Sequence, residues 1–366
     1  MTERVKRAKK QDAEEENIEE EIMNKEVKDT RPVEFIHSGS TMLNEALSQK
    51  AKGGGWARNR ILNIVGDGSS GKTILAIQLC YICFKTLMVT KSNIFPPVKK
   101  LIIIYNNPEA VMDFPLQSMY GEDFIDAVEW RHDSTVEATG RDYLRRVKAL
   151  KKGEALIYVV DSWDALDSEE ESKAFDEAIM KDEQMEGSYN LGKQMFASKL
   201  FFKKCCDEML GKDATLCIIS QVRDRIGVSF GKKKYRAGGK ALDFYTHQVC
   251  WLRVVKKVPR VVRGRERIWR VEIEGHVERN KTAIPYRKAT FGIVFGYGID
   301  DVSSMVDWLF KKGPYILPSI DKPYKDRKSF IQRVYDDNLI AELRDEVDKE
   351  VMEVNKGFEV DWKQEF

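Results

Sequence analysis

Four short apolar runs punctuate the chain: Ile61–Val65, Leu101–Tyr105, Leu156–Val160 and Leu216–Ile219. They are nearly continuous rather than alternating. Such runs predict central strands of a mostly parallel sheet covered on both faces. The stretch Ile74–Cys80 predicts the start of a helix after the first run, and Leu191–Leu210 predicts a helix between two later runs. From Val249 to Phe295 the pattern changes to β-hairpins, with strands over Cys250–Val255 and Trp269–Glu274 and a turn at Gly264.

The ends read differently. Residues 1–30 begin basic (Arg4, Lys6, Arg7, Lys9, Lys10) and turn acidic (Glu14, Glu15, Glu16, Glu19, Glu20, Glu21), with few apolar positions. This is either a disordered arm or a solvated helix that docks on a neighbour. Order begins near Pro32. Pro314, Pro318 and Pro323 mark a linker, beyond which Phe330, Val334, Leu343, Val347 and Val351 fall at helical spacing among many acids. The expected organisation is a charged arm over 1–32, an α/β core over 33–312 and a small helical acidic region over 313–366.

Composition adds limits. Hydrophobic residues make up 42% of 366 positions, enough for a packed interior. No stretch approaches the roughly 20 apolar residues of a membrane span. The N-terminus has no apolar segment behind its charges, so a cytoplasmic protein with no membrane partner is expected. The six cysteines include Cys80 and Cys83 at C-x-x-C spacing, yet no second pair stands at metal-ligand spacing, and buried free thiols are expected. Net charge is only +2. Its distribution is uneven: Arg223, Arg225, Lys232, Lys233, Lys234, Arg236 and Lys240 crowd one segment, and Arg253, Lys256, Lys257, Arg260, Arg263, Arg265, Arg267 and Arg270 crowd the next.

The chemistry concentrates at Gly66-Asp67-Gly68-Ser69-Ser70-Gly71-Lys72-Thr73, which fits G-x-x-x-x-G-K-[ST], the phosphate-binding loop of nucleotide triphosphatases. Gly66, Gly68 and Gly71 let the backbone turn tightly and aim its amides at phosphates. Lys72 is placed to reach the β- and γ-phosphates of ATP and Thr73 to offer a hydroxyl to Mg²⁺. Such a loop needs a second acid for the metal, and Asp161, at the end of the Leu156–Val160 run, supplies one. Hydrolysis also needs a group to orient water. Glu109 follows the Leu101–Tyr105 run, and Gln221 follows the Leu216–Ile219 run with an amide suited to sensing a γ-phosphate. Either role competes with that of an ordinary polar residue at a strand end.

The segment after Gln221 has its own physics. Gly227, Gly231, Gly238 and Gly239 make it pliable. Arg223, Arg225, Lys232, Lys233, Lys234 and Arg236 can neutralise phosphates and release counterions. Ile226, Phe230 and Tyr235 can stack on bases without reading sequence. The competing reading is a solvated basic loop with no ligand.

Taken in order, these blocks resemble the RecA family of ATP-dependent recombinases. His37-Ser38-Gly39-Ser40 with Leu43, Leu47 and Gly53-Gly54-Gly55 resembles the lead-in to the phosphate loop. Val160-Asp161-Ser162 with Ala165-Leu166 resembles the Mg²⁺ strand. Ser220–Gly231, continuing through Gly238-Gly239-Lys240 to Tyr245, looks like the second DNA-binding loop, headed by the glutamine that senses ATP. In Glu278–Tyr286, Arg279 and Lys281 correspond to a basic pair that reaches the neighbour's γ-phosphate across a subunit interface. The resemblance also places Asp113 among the nucleotide contacts. It covers roughly residues 33–310.

There are departures. Phe84–Lys99 looks longer than its counterpart, Asn106-Asn107-Pro108 stands where an acid usually neighbours the catalytic glutamate, and the first DNA loop is only weakly recognisable around Glu186–Lys193. The Asn107 substitution bears on hydrolysis more than on ATP binding. The divergence would suit a phage-encoded member, working in a bacterial or phage-infected cell.

The resemblance implies a RecA-like P-loop core with a β-hairpin extension. It implies a DNA-dependent ATPase that binds ATP and Mg²⁺ and self-assembles into a helical filament on single-stranded DNA. Pairing with homologous duplex DNA would follow, with a single-strand-binding or loader protein as a further partner. The competing readings are a RecA-fold helicase motor and a recombination mediator that binds ATP and DNA without strand exchange.

Overall fold

In the computed structural model, the structure describes residues 33–110, 112, 115–170, 172–173, 201–224, 234–236, 239–320, 324 and 326–358. The chain divides into two units, Met1–Glu34 and Phe35–Phe366. The expected N-terminal arm and the first DNA loop around Glu186–Lys193 lie outside the described residues, as does the first half of the expected Leu191–Leu210 helix.

In chain order the strands are β1 (Phe35–Ile36), β2 (Trp56–Ala57), β3 (Ile61–Gly66), β4 (Lys100–Asn106), β5 (Val128–Arg131), β6 (Glu154–Val160), β7 (Asp213–Asp224), β8 (Lys234–Arg236), β9 (Gln248–Val262), β10 (Arg265–Asn280), β11 (Arg287–Val294) and β12 (Gly298–Asp300). The helices used below are α1 (Thr41–Ser48), α2 (Lys72–Thr86), α3 (Val136–Ala149), α4 (Phe202–Met209), α5 (Gly239–Tyr245), α6 (Asp301–Leu309), α7 (Arg327–Asp336) and α8 (Ile340–Lys356).

One ten-stranded sheet organises the second unit, in the order β12-β11-β10-β9-β3-β7-β6-β4-β5, with β8 attached to β7. From β9 to β5 every neighbouring pair is parallel, and β9 to β12 run antiparallel. The continuous apolar runs have the expected reason: all six residues of β3 are buried, as are Ala155–Val160 of β6. One side of the sheet is filled by Tyr143, Tyr158, Trp163, Phe201, Phe202 and Leu216, among others. Trp163 stacks on Phe201 with ring centres 5.9 Å apart.

Two elements escape the hydrophobic pattern. β5 (Val-Glu-Trp-Arg) is an edge strand with only Val128 buried, so it carries no apolar run. α3 is polar on most of its surface and is started by Thr135, whose hydroxyl accepts from the Ala138 amide at 3.2 Å.

The hairpin turn falls where Gly264 predicts it. Val262 pairs with Arg265, leaving a two-residue turn in which Arg263 and Gly264 both take positive φ (50° and 73°). β9 lies against β3 only as far as Leu252, opposite Gly66. Beyond it, among the described residues, β9 pairs with β10 alone; β11 still flanks β10 as far as Arg270, and residues 259–262 with residues 265–268 form an exposed two-stranded tip.

The C-terminal helices pack on the core. α8 buries Leu343, Val347 and Val351. Its polar flank holds the lead-in segment: Lys52 reaches Asp345 at 2.6 Å, the Lys52 amide donates to Asp348 at 2.8 Å, and Asn355 donates to the Gln49 carbonyl at 3.0 Å. Among the described residues no helix is long and apolar enough to cross a membrane.

Candidate nucleotide site and nucleic-acid interface

The glycine loop joins the end of β3 to α2, as its flanks predict. Two of its glycines stand where a side chain would be crowded or strained. A Cβ on Gly66 would fall 2.2 Å from Ser70 Oγ, and one on Gly71, at φ +87°, would fall 2.5 Å from Ile293 Cδ1. Gly71 caps α2 without a side-chain hydrogen bond, so the first-turn amides face the loop's concavity. The helix-end dipole adds positive potential there.

Around this loop the sheet gathers the polar residues. Lys72 Nζ donates to the Asp67 carbonyl at 2.7 Å. Burial lowers the Lys72 pKa, while Asp161, Asp67, Asp164 and Glu109 pull it upward. Asp161 follows β6, and its amide donates to the Asn106 carbonyl of β4 at 2.8 Å. Its carboxylate takes a hydrogen bond from the Tyr105 hydroxyl at 2.6 Å and another from Thr73. Burial raises the Asp161 pKa; the Tyr105 and Thr73 hydrogen bonds and the charge of Lys72 oppose that rise. Tyr105 is itself buried, so one fixed phenol orients the carboxylate.

Glu109 is exposed, and its carboxylate accepts from Ser162 Oγ at 3.3 Å. Its backbone amide donates to the Asn107 side-chain oxygen at 3.1 Å. The asparagine in the acid's place thus braces the turn that presents Glu109. Gln221 pairs in register with Gly66, which sets the expected sensor beside the start of the phosphate loop.

A cavity of about 1010 Å³ opens beside the loop. Asp67–Ile74 line one wall; Val254, Val271, Ile293, Phe295 and Met119 give the other an apolar character. Thr73 and Asp161 offer hard oxygen donors next to a lysine, a set suited to Mg²⁺ held with phosphates rather than to a dedicated metal cage. Among the described residues no three or more His, Cys, Asp and Glu side chains are grouped so as to hold a metal by themselves. The cysteines are free thiols, all buried except the half-buried Cys206.

Several expected residues stand elsewhere. Arg279 and Lys281 do not approach the loop of their own chain. Lys281 donates to the Phe244 carbonyl at 2.8 Å, and its amide donates to His247, whose own amide bonds Ile61 at the far end of β3. A six-residue strand, about 20 Å, separates that end from Gly66.

Arg236, expected at the nucleic-acid surface, is turned inward in this structure. It is only 7% exposed, donates to Asp243 at 2.9 Å through Nε and reaches Asn63 inside β3. Asn63 in turn donates to the Ile218 carbonyl at 2.8 Å and to Ser220 Oγ at 3.0 Å. A buried amide must be satisfied, and Arg236 serves that network. Burial lowers its pKa, with Asp243 opposing.

Asp113, Arg225, Ile226, Phe230, Lys232, Lys233 and Gly238 lie outside the described residues. Lys234 is in β8, and Gly239 and Lys240 open α5. Arg223 is half-exposed on β7, 3.5 Å from Asp164.

The hairpin expected around Gly264 forms, and it is drawn out into a long cationic arm. Its tip carries Arg260, Arg263, Arg265 and Arg267 against Glu266, whereas nearer the core Arg253 pairs with Glu274 at 2.9 Å, Lys256 lies 3.8 Å from Glu272, and Arg253 and Lys257 line the cavity beside the loop. Val261 and Val262 are exposed at its tip.

Comparison with known proteins gives one consistent result. A family model of the RecA N-terminal domain matches residues 137–300. Protein RecA of Mycoplasma mycoides is 28% identical over 334 residues, 88% of this chain and 85% of that protein. Protein RecA of Corynebacterium aurimucosum is 29% identical over 281 residues, 76% of this chain but 65% of its own length. Protein RecA of Borrelia duttonii is 27% identical over 332 residues, 88% of this chain and 81% of that protein.

Proposed function

The chain belongs to the RecA family, and from that premise we propose that it is a DNA-dependent ATPase that assembles on single-stranded DNA and promotes homologous pairing and strand exchange. One observation carries the reading. Lys72, Thr73, Asp161 and Glu109 converge around the glycine loop, with Gln221 one strand away.

Lys72 would leave the Asp67 carbonyl to neutralise the β- and γ-phosphates of ATP. Thr73 and Asp161 would hold Mg²⁺, with Tyr105 fixing the carboxylate. The ion would draw charge from the phosphate oxygens during hydrolysis. Glu109 would orient the attacking water, and the apolar wall of the cavity would seat the base.

Arg279 and Lys281, a strand's length from their own loop, would complete the pocket of a neighbouring copy. Gln221 would contact the γ-phosphate and order the segment after it, including Arg225, Ile226, Phe230 and Lys232–Lys234, as a strand-binding surface. Nucleotide and DNA then favour the same state, and their coupling is reciprocal. The basic ribbon of β9 and β10 would face the homologous duplex, and sequence would be read by base pairing alone. A cytoplasmic location accords with that role.

The test is ATP hydrolysis and oligonucleotide affinity, each measured with and without its partner ligand, followed by a strand-exchange assay. Single-stranded DNA should stimulate hydrolysis, and nucleotide should tighten DNA binding. Equal DNA affinity with and without nucleotide would refute the reading. Coupling without strand exchange would point to a mediator, and closed rings seen by electron microscopy would point to a helicase motor.

A further inference from the structure

Asp164 acts on Lys72 only through its charge, yet it stands between the two proposed binding surfaces. It belongs to the 3-10 turn Trp163–Ala165, directly after Asp161 and Ser162. Trp163 is fully buried and stacked on Phe201, so the turn is pinned to the core. The Asp164 side chain is only 5% exposed.

Its carboxylate reaches the neighbouring strand twice. Oδ2 accepts from the Gln221 amide at 2.7 Å, and Oδ1 lies 3.5 Å from Arg223 Nε. Gln221 and Arg223 are two apart on β7 and point to one face. A single carboxylate therefore hydrogen-bonds the backbone of the proposed sensor and makes a looser ion pair with the first cation of the basic segment. It also ties both to the end of the metal strand. A DNA phosphate seeking Arg223 must compete with the charge of this carboxylate, an ion pair of modest strength at a half-exposed arginine.

We propose that Asp164 is a positioning residue that restrains Arg223 from nucleic acid until nucleotide moves Gln221. The inference rests on the reading of Gln221 as nucleotide sensor and of the following segment as strand-binding. When Gln221 turns toward a γ-phosphate, its amide leaves Asp164 and β7 shifts. Arg223 moves with the strand and exchanges the carboxylate for a phosphodiester. The latch lowers DNA affinity in the nucleotide-free state and so enlarges the ratio between the two states.

The test uses full-length protein, an oligothymidylate probe and a non-hydrolysable ATP analogue with Mg²⁺. Asp164→Asn keeps size and an acceptor for the Gln221 amide but removes the charge that holds Arg223. Without nucleotide it should bind the oligonucleotide about three- to fivefold more tightly. Its salt slope should steepen by about one unit. Affinity with nucleotide should change little, so the nucleotide-induced gain shrinks. In an Arg223→Ala background the same substitution should do nothing.

A nucleotide-induced gain undiminished in Asp164→Asn, or an effect that survives in Arg223→Ala, overturns the latch while leaving the recombinase reading intact. No gain in the wild type overturns both. If Asp164→Asn does not fold, hydrogen exchange in the wild type decides. The β7 peptide containing Gln221 should exchange faster once the analogue is added, and unchanged exchange rejects the latch.

Discussion

β3 and β9 are neighbours in one sheet, yet they end in opposite ways. β3 is buried at every position, has a strand on each side and terminates in a loop held by its own glycines. β9 begins just as buried, at Gln248-Val249-Cys250. It then loses β3 beyond Leu252 and becomes exposed and cationic. The contrast matches two kinds of ligand. A triphosphate is small and can be met by preset backbone amides. A polynucleotide is long and is met by many exposed side chains, each contributing modestly.

The largest expected effect attacks the β3 side. Lys72→Ala should lower ATP turnover by about a hundredfold or more, because a charge aimed at the transferring phosphate has no substitute. Steady-state phosphate release would show it. Near-normal turnover would remove the glycine loop from the chemistry.

A second substitution set attacks the β9 side. Arg260, Arg263, Arg265 and Arg267 replaced together by alanine should flatten the salt dependence of duplex binding by about three units. DNA-free ATP hydrolysis should stay at its starting level. An unchanged slope measured by titration at several salt concentrations would exclude the ribbon from DNA contact.

The smallest expected effect sharpens the first. Tyr105→Phe deletes the hydroxyl that orients Asp161 and should cost about 1–3 kcal/mol of stability, measured by urea unfolding. The same variant should need more Mg²⁺ to bind a fluorescent ATP analogue. Identical magnesium titrations for variant and wild type would mean that Tyr105 merely fills space.

Much of the β3 side was legible in the sequence because its signals are local. The glycine motif, its flanking strand and helix, and the acid after Val160 each follow from spacing. The rest was hidden for physical reasons. Whether an arginine in a basic run faces solvent depends on what lies beneath it. For Arg236 the clue was Asn63, a lone amide inside an apolar strand that had to find partners. Asp164 offered only an acid just past the metal strand. Its reach to β7 emerges only once β6 and β7 lie side by side. The separation of Arg279 and Lys281 from the loop depends on strand direction, which hydrophobic periodicity does not encode.

The final helix has a practical bearing on how this chain is cut. Leu343, Val347 and Val351 are inside the packed body, and Lys52, Gln49 and Arg287 lean on that helix's polar flank. Trimming the acidic end at the proline-rich linker would strip a supporting wall as well as charge. A deletion meant to isolate the charge should leave everything through Lys356 in place.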